Sequence, residues 1–166
     1  APGGNTAAPA EPTREGYTFQ GWYNGETQFT FGSKLNENIT LTAKWQGNSN
    51  TQYTVIHWQE NANDDNFSFK ESETMSGTTG ATTAASAKSY EGFTAQTITQ
   101  QTIAGDGSTI VNVYYNRNVY SIDFYRLTCN RPEVWFHEHS DSCFAVISDL
   151  TITAKYGASI GDQWPT

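Results

Sequence analysis

The sequence predicts a mainly β protein with one short helix, an α+β chain built from tandem repeats. Three observations predict it. A motif occurs twice: Glu15, Gly16, Tyr17, Thr18 and Gln20 return as Glu91, Gly92, Phe93, Thr94 and Gln96. An alternating strand follows each copy, Ile39 to Trp45 and then Ile110 to Asn116, with offsets of 76 residues for the motif and 71 for the strand. Composition is the third: charge is low at 16%, aromatics are high at 14%, and Thr, Asn, Ser, Gln and Gly dominate the rest. Such a mixture suits Thr-rich strands with aromatic anchors. A fixed internal period marks an array of supersecondary units, and arrays bind, span or display more often than they catalyse.

The repeat sets the expected boundaries. Tyr53 to Gln59 open the second copy, and a similar strand, Val119 to Tyr125, follows its end. No such strand precedes the first copy. The expectation is a window on a longer array: residues 1–46 are the back of one repeat, 52–117 a complete repeat, and 118–166 the front of another, with a loop inserted at 129–143.

Each element has a local reason. Residues 1–13 are rich in Pro, Gly and Ala and read as extended chain. Tyr17 and Phe19 put two rings on one face of a strand. Asn24-Gly25 signals a two-residue hairpin turn. Ile39, Leu41 and Ala43 alternate with Thr40, Thr42 and Lys44, a half-buried strand ending at Trp45. Residues 46–52 form a linker. Tyr53, Val55 and His57 then share one face of a strand, with Thr54, Ile56 and Trp58 on the other. A polar loop at 61–66 returns the chain through Phe67, Phe69 and Glu71. Residues 81–89, Ala-rich and free of Pro and Gly, are the helix candidate. The Glu91-Gly92 turn leads to a strand from Phe93, and Gly105-Asp106-Gly107 turns into a last strand over 109–116. The order in this repeat is strand, strand, helix, strand, strand. Tyr120, Ile122 and Phe124 begin the third repeat, and Leu150, Ile152 and Ala154 supply its returning strand.

Charge and hydropathy narrow the classes of partner. The net charge of -8, with nine Lys and Arg, leaves no basic patch to neutralise phosphate and argues against nucleic acid. No stretch approaches the ~20 apolar residues of a membrane-spanning helix. Two cysteines in so Thr- and Asn-rich a chain fit an extracellular setting.

The densest chemistry is Cys129, His137, His139 and Cys143, spaced C-x7-H-x-H-x3-C. Two readings stand. A Cys129–Cys143 disulfide would close a loop of ~15 residues, worth roughly 3 kcal/mol in the chain-entropy picture. Alternatively, all four side chains would hold a structural zinc ion, the two histidines facing the same way on an extended segment. A zinc-protease reading fails, because it needs two histidines four apart on a helix. Asp64 and Asp65 in the 61–66 loop offer oxygen ligands for calcium without the spacing of a calcium loop. Trp58, Tyr115 and Trp135 are candidate sugar-stacking aromatics, although alternation assigns most aromatics here to packing. No nucleophile elbow accompanies the Ser, His and Asp residues. Beyond the zinc alternative, no cofactor is expected.

The run from Arg14 to Tyr23 followed by Asn38 to Trp45 resembles the internalin B-repeat, or Listeria–Bacteroides repeat, over residues 12–45. Residues 52–117 resemble, more distantly, a mucin-binding-protein repeat without the tryptophans. The resemblance implies β-grasp-like repeat units in a secreted or wall-attached bacterial surface protein, with no catalytic residues. It implies a stalk, spacer or adhesion role whose partners are the neighbouring repeats. The alternatives are a glycan- or mucin-binding module, meeting a host glycan or glycoprotein, and an accessory spacer of a secreted enzyme. Cys/His loops occur beside such repeats. For this loop, intact mass under non-reducing conditions with metal analysis is decisive. A mass two hydrogens below the reduced form, with no zinc, is the expected result. Stoichiometric zinc with both thiols free would reverse the reading.

Overall fold

The computed structural model describes residues 6–32, 34–127 and 144–163. Its strands are β1 (Tyr17–Asn24), β2 (Thr27–Gln28), β3 (Thr42–Gly47), β4 (Thr51–Glu60), β5 (Phe67–Gly77), β6 (Phe93–Ala95), β7 (Ile110–Arg117), β8 (Val119–Leu127) and β9 (Phe144–Lys155). They form three sheets, ordered β2-β1-β3, β5-β4-β7-β6 and β8-β9. The protein is mainly β. Among the described residues the only helical element is one turn of 3-10 helix, Gly161–Gln163.

By contact the chain divides into two compact units. The first comprises Ala1–His57, Lys70–Ala87 and Thr97–Val113; the second comprises Trp58–Phe69, Lys88–Gln96 and Tyr114–Thr166. This division cuts the middle repeat and leaves the sequence boundaries near 46–52 and 117–118 inside compact units.

In the first unit, period-2 alternation decides the core. Tyr53, Val55 and His57 of β4 and Val111 and Val113 of β7 are buried, as are Ala85 and Ile103. The Asn24-Gly25 turn forms as the sequence predicts, pairing Asn24 with Thr27. Phe19 packs edge-on against Trp22 and Trp45, at 5.7 and 5.3 Å between centroids. The strand expected from Ile39 begins only at Thr42, because the Tyr23–Thr42 pair is the last before β1 reaches its turn. Residues 39–41 lie beyond the last β1–β3 pair.

The helix expected over 81–89 does not form. Its peptide groups are taken by other partners. The Ala84 amide donates to the Tyr53 hydroxyl at 3.1 Å. The Ala85 amide donates to Gln100 Oε1, and Gln100 Nε2 returns a bond to the Ala85 carbonyl. Thr83 and Gln101 bond in the same ladder, and the Thr82–Thr102 bridge sits beside them. Alanine's helix preference is a few tenths of a kcal/mol per residue over most others, and a set of tertiary hydrogen bonds outweighs it.

In the second unit, the Lys88 amide donates to the Tyr115 hydroxyl at 2.8 Å, and Tyr115 packs edge-on against Tyr90. β8 pairs antiparallel with β9, from Val119–Lys155 to Leu127–Phe144, with a register shift between Asp123 and Tyr125. Ile152 is buried.

The Tyr53 hydroxyl also donates to the Met75 sulfur. Tyr53→Phe keeps the ring, strips the Ala84 bond from the coil that replaces the helix, and also removes the bond to Met75 of β5. The expected outcome in urea titration is a loss of about 1–2 kcal/mol with an unchanged slope. A variant as stable as the parent would show that the coil is not held through this hydroxyl.

Candidate functional site

The repeated motif ends in a repeated set of hydrogen bonds. In the first compact unit, the Tyr17 amide closes a turn on the Arg14 carbonyl, and the Asn48 amide donates to the Gly16 carbonyl at 2.9 Å. The Thr18 hydroxyl donates to Asn48 Oδ1 at 2.8 Å. The Asn48 carbonyl then accepts from the Thr79 amide at 3.0 Å, and the Ala81 amide closes a turn on Thr78. Asn48 therefore ties the end of the first repeat both to its own Glu-Gly turn and to the second repeat.

In the second compact unit the same five bonds recur. Phe93 closes its turn on Tyr90, and Asn118 donates to the Gly92 carbonyl at 2.8 Å. Thr94 donates to Asn118 Oδ1 at 2.7 Å. The Tyr156 amide donates to the Asn118 carbonyl at 2.8 Å, and Ala158 closes a turn on Lys155. These two sets are the seams by which one sequence repeat passes to the next.

Strand register confirms the equivalence. Tyr17, Thr18 and Phe19 of β1 face Gly47, Gln46 and Trp45 of β3. Phe93, Thr94 and Ala95 of β6 face Arg117, Asn116 and Tyr115 of β7 in the same order. Trp45 thus corresponds to Tyr115, an offset of 70 residues rather than the 71 read from the sequence. A one-residue slip exchanges the faces of a strand. The corrected offset matches Leu41 and Ala43 to the buried Val111 and Val113.

The seams require glycine. Gly16 and Gly92 have φ of 75° and 77°. A Cβ on Gly16 would lie 2.2 Å from Gly105 Cα, and one on Gly92 would lie 2.1 Å from the Tyr156 ring. Both restrictions apply at once, the left-handed backbone and the close approach.

The seams differ in charge. At the second, the Arg117 amide donates to Glu60 Oε2 at 2.7 Å, its Nε to the Glu60 carbonyl and a terminal nitrogen to the Tyr156 carbonyl. Its guanidinium lies 4.8 Å from the Phe93 ring centroid. Lys155 Nζ reaches Glu60 Oε1 and Asp65 Oδ1, each at 2.7 Å, and the Asp64 carbonyl at 2.9 Å. Asp65 is 97% exposed, so water screens that contact, whereas Glu60 is 13% exposed and is the partner that matters. The Lys155 ammonium foremost, and then the Arg117 amide, hold the Glu60 carboxyl below its usual range against the opposing effect of burial. Asp65 and then Glu60 raise Lys155 above its usual value. The Glu60 contribution is complete above the ordinary carboxylate range and fades as pH falls through its lowered value. The Lys155 contribution is complete below the ordinary lysine range and is lost as pH rises through its raised value. The clamp is therefore whole at neutral pH.

Lys155 also answers the calcium reading of the 61–66 loop. Asp64 Oδ1 already accepts from Asn61 Nδ2 and the Asn66 amide, and the cation facing this loop is the Lys155 ammonium. Among the described residues no three His, Cys, Asp or Glu side chains gather to hold a metal ion. Cys129, His137, His139, Cys143 and Trp135 lie outside the described residues.

Of the stacking candidates, Tyr115 is a correction. It is 1% exposed and presents no face to a sugar. Trp58 keeps partial exposure in an aromatic cluster of the second unit, 6.4 Å from Tyr114 at 19° and 6.1 Å from Phe69. Phe67 packs edge-on to Tyr114. Sequence reasoning missed Asn48 and Asn118. They align only at the 70-residue offset that strand pairing reveals, so the 71-residue offset read from the sequence hid them.

Residues 1–44 match the Listeria-Bacteroides repeat domain. The matched Listeria-Bacteroides stretch supplies β1, β2 and the start of β3, and it ends before Gly47 and Asn48. No solved structure matches the chain. No helix of the described residues is long and apolar enough to cross a membrane.

Gly25 supplies a control for the seam glycines, since it has φ of 59° and nothing within 4 Å of a Cβ. Gly25→Ala should cost about 1 kcal/mol from backbone strain alone. Gly16→Ala and Gly92→Ala should each cost at least about 2 kcal/mol in denaturant unfolding. Equal costs at all three positions would remove close approach as the reason for glycine.

Proposed function

We propose that this chain is a non-catalytic repeat segment of a secreted or wall-attached bacterial surface protein, serving as a stalk or spacer. Listeria-Bacteroides repeats are found in bacterial surface proteins, which supports the setting. The observation that carries the role is the pair of matching seams. Each spends backbone hydrogen bonds and obligatory glycines on joining consecutive repeats, and neighbour-to-neighbour interfaces are what stabilise a linear array. The neighbouring repeats are the partners in this reading. Residues 52–117 are then a β-grasp-like repeat in which a hydrogen-bonded coil stands where a crossover helix was expected. The sheet order β5-β4-β7-β6, with the first and last strands of the repeat central, supports that assignment.

One observation favours a second reading. Trp58, Phe67, Phe69 and Tyr114 cluster on partly open surface, with Phe69 59% and Tyr114 37% exposed. Such rings suit stacking on a host glycan, and the segment would then be an adhesion module. An accessory spacer of a secreted enzyme keeps the same mechanics and differs only in its cargo.

A glycan array separates the readings. The spacer reading expects no bound glycan from the intact chain. A specific hit that disappears in both Trp58→Ala and Tyr114→Ala would overturn it in favour of adhesion.

A further inference from the structure

Equivalent positions in the two seams carry opposite chemistry. The register places Gly47 where the second seam has Arg117. The matching turns place Thr78 and Thr79 where the second seam has Lys155 and Tyr156. At the first seam there is no room: a Cβ on Gly47 would lie 2.3 Å from the Thr79 carbonyl oxygen and 3.2 Å from Thr78 Cγ2. At the second, the longest cationic side chain fills the same position and reaches both the Glu60 carbonyl and the Tyr156 carbonyl.

We infer that positions 47 and 117, with their counterparts 78 and 155, are specificity determinants that fix which repeat docks after which. The first seam selects by shape a neighbour whose turn carries small uncharged residues. The second selects by charge a neighbour whose turn carries lysine. The partner in each case is the following repeat of the same array.

Discrimination needs a penalty for the wrong neighbour as well as a gain for the right one. Both penalties are built in. An arginine at position 47 drives into the backbone of Thr79, and backbone does not swing aside as a side chain end does. A threonine at position 155 leaves Glu60, 13% exposed, without its ammonium, and Asp65 beside it. Removing one partner of a partly buried ion pair costs more than the pair contributes, because the remaining charge stays poorly solvated. Arg117 does not substitute for Lys155: its amide and side chain bond Glu60 Oε2 and the Glu60 carbonyl, leaving Oε1 to the lysine.

The inference rests on the proposed function only in taking the repeats as members of one array. A glycan hit would overturn the spacer reading and leave the following readouts unchanged. The test is amide hydrogen exchange by NMR on the whole chain. The Thr79 amide, bonded to Asn48, reports the first seam, and the Tyr156 amide, bonded to Asn118, reports the second. Gly47→Arg should lower Thr79 protection by at least about tenfold and leave Tyr156 unchanged. Lys155→Thr should do the reverse, and Lys155→Arg should restore protection. In the unaltered chain, raising salt from about 0.05 M to about 1 M should weaken Tyr156 protection alone, since screening acts on charge and not on shape. Full Thr79 protection in Gly47→Arg, or full Tyr156 protection in Lys155→Thr, would overturn the assignment. If Gly47→Arg fails to fold, the lysine variants and the salt series still decide: equal salt responses at the two amides would sink the distinction between the seams.

Discussion

Everything at the repeat boundaries depends on one asparagine backbone used in two directions. Asn48 gives its amide to Gly16 and its carbonyl to Thr79; Asn118 gives its amide to Gly92 and its carbonyl to Tyr156. Strand ends carry polar peptide groups that need partners once solvent is partly excluded. Here a single residue satisfies the outgoing turn of one repeat and the incoming turn of the next. Its side chain holds the arrangement in register through the Thr18 or Thr94 hydroxyl. Asparagine fits because its Oδ1 accepts from threonine while both backbone groups stay committed. The positive φ of Gly16 and Gly92 follows from this constraint, because the carbonyl must turn toward the asparagine while the neighbouring backbone or ring comes close.

A second economy explains the scarcity of helix. The second repeat crosses from β5 to β6 through a coil whose amides are claimed by Tyr53, Gln100 and Tyr115. The two tyrosine rings are almost fully buried and their hydroxyls meet the coil. A large side chain thus fills core volume and completes backbone hydrogen bonding at once. In a chain with few aliphatic residues this is an effective use of aromatics, and it agrees with a composition rich in Thr and Gln, whose side chains supply the remaining bonds.

Much of the fold was legible in the sequence because period-2 alternation is a local signal. Tyr53, Val55 and His57 read as one face and are buried together. The Asn24-Gly25 and Gly105-Asp106-Gly107 turns read correctly because their glycines are local requirements. The helix over 81–89 was misread because alanine content is also local, whereas Gln100 and Tyr53 reach the segment from elsewhere in the chain. The strand offset was misread by one residue because a loop length difference hides behind two alternating strands. Only pairing with β1 and β6 fixes it. The candidate site was legible in half: the Glu-Gly-aromatic-Thr motif stood out, but its asparagine partner lies 32 residues away at the first seam and 26 at the second.

The seams also explain why the compact units do not follow the sequence repeats. A repeat boundary in the sequence marks where the pattern restarts. A compact unit marks where contacts are dense. Asn48 and Asn118 draw the end of one repeat onto the next, and the first compact unit contains all of the first seam and the second all of the second. The middle repeat is what gets divided. Its strands β4, β5 and β7 each contribute residues to both compact units, and its two seams look to different neighbours. A repeat so placed has part of its hydrogen bonding completed by residues outside its own period, Asn48 for Thr79 on one side and Asn118 for Gly92 on the other. Hydrogen bonds that cross a repeat boundary couple one repeat to the next, as nearest-neighbour interfaces do in repeat proteins.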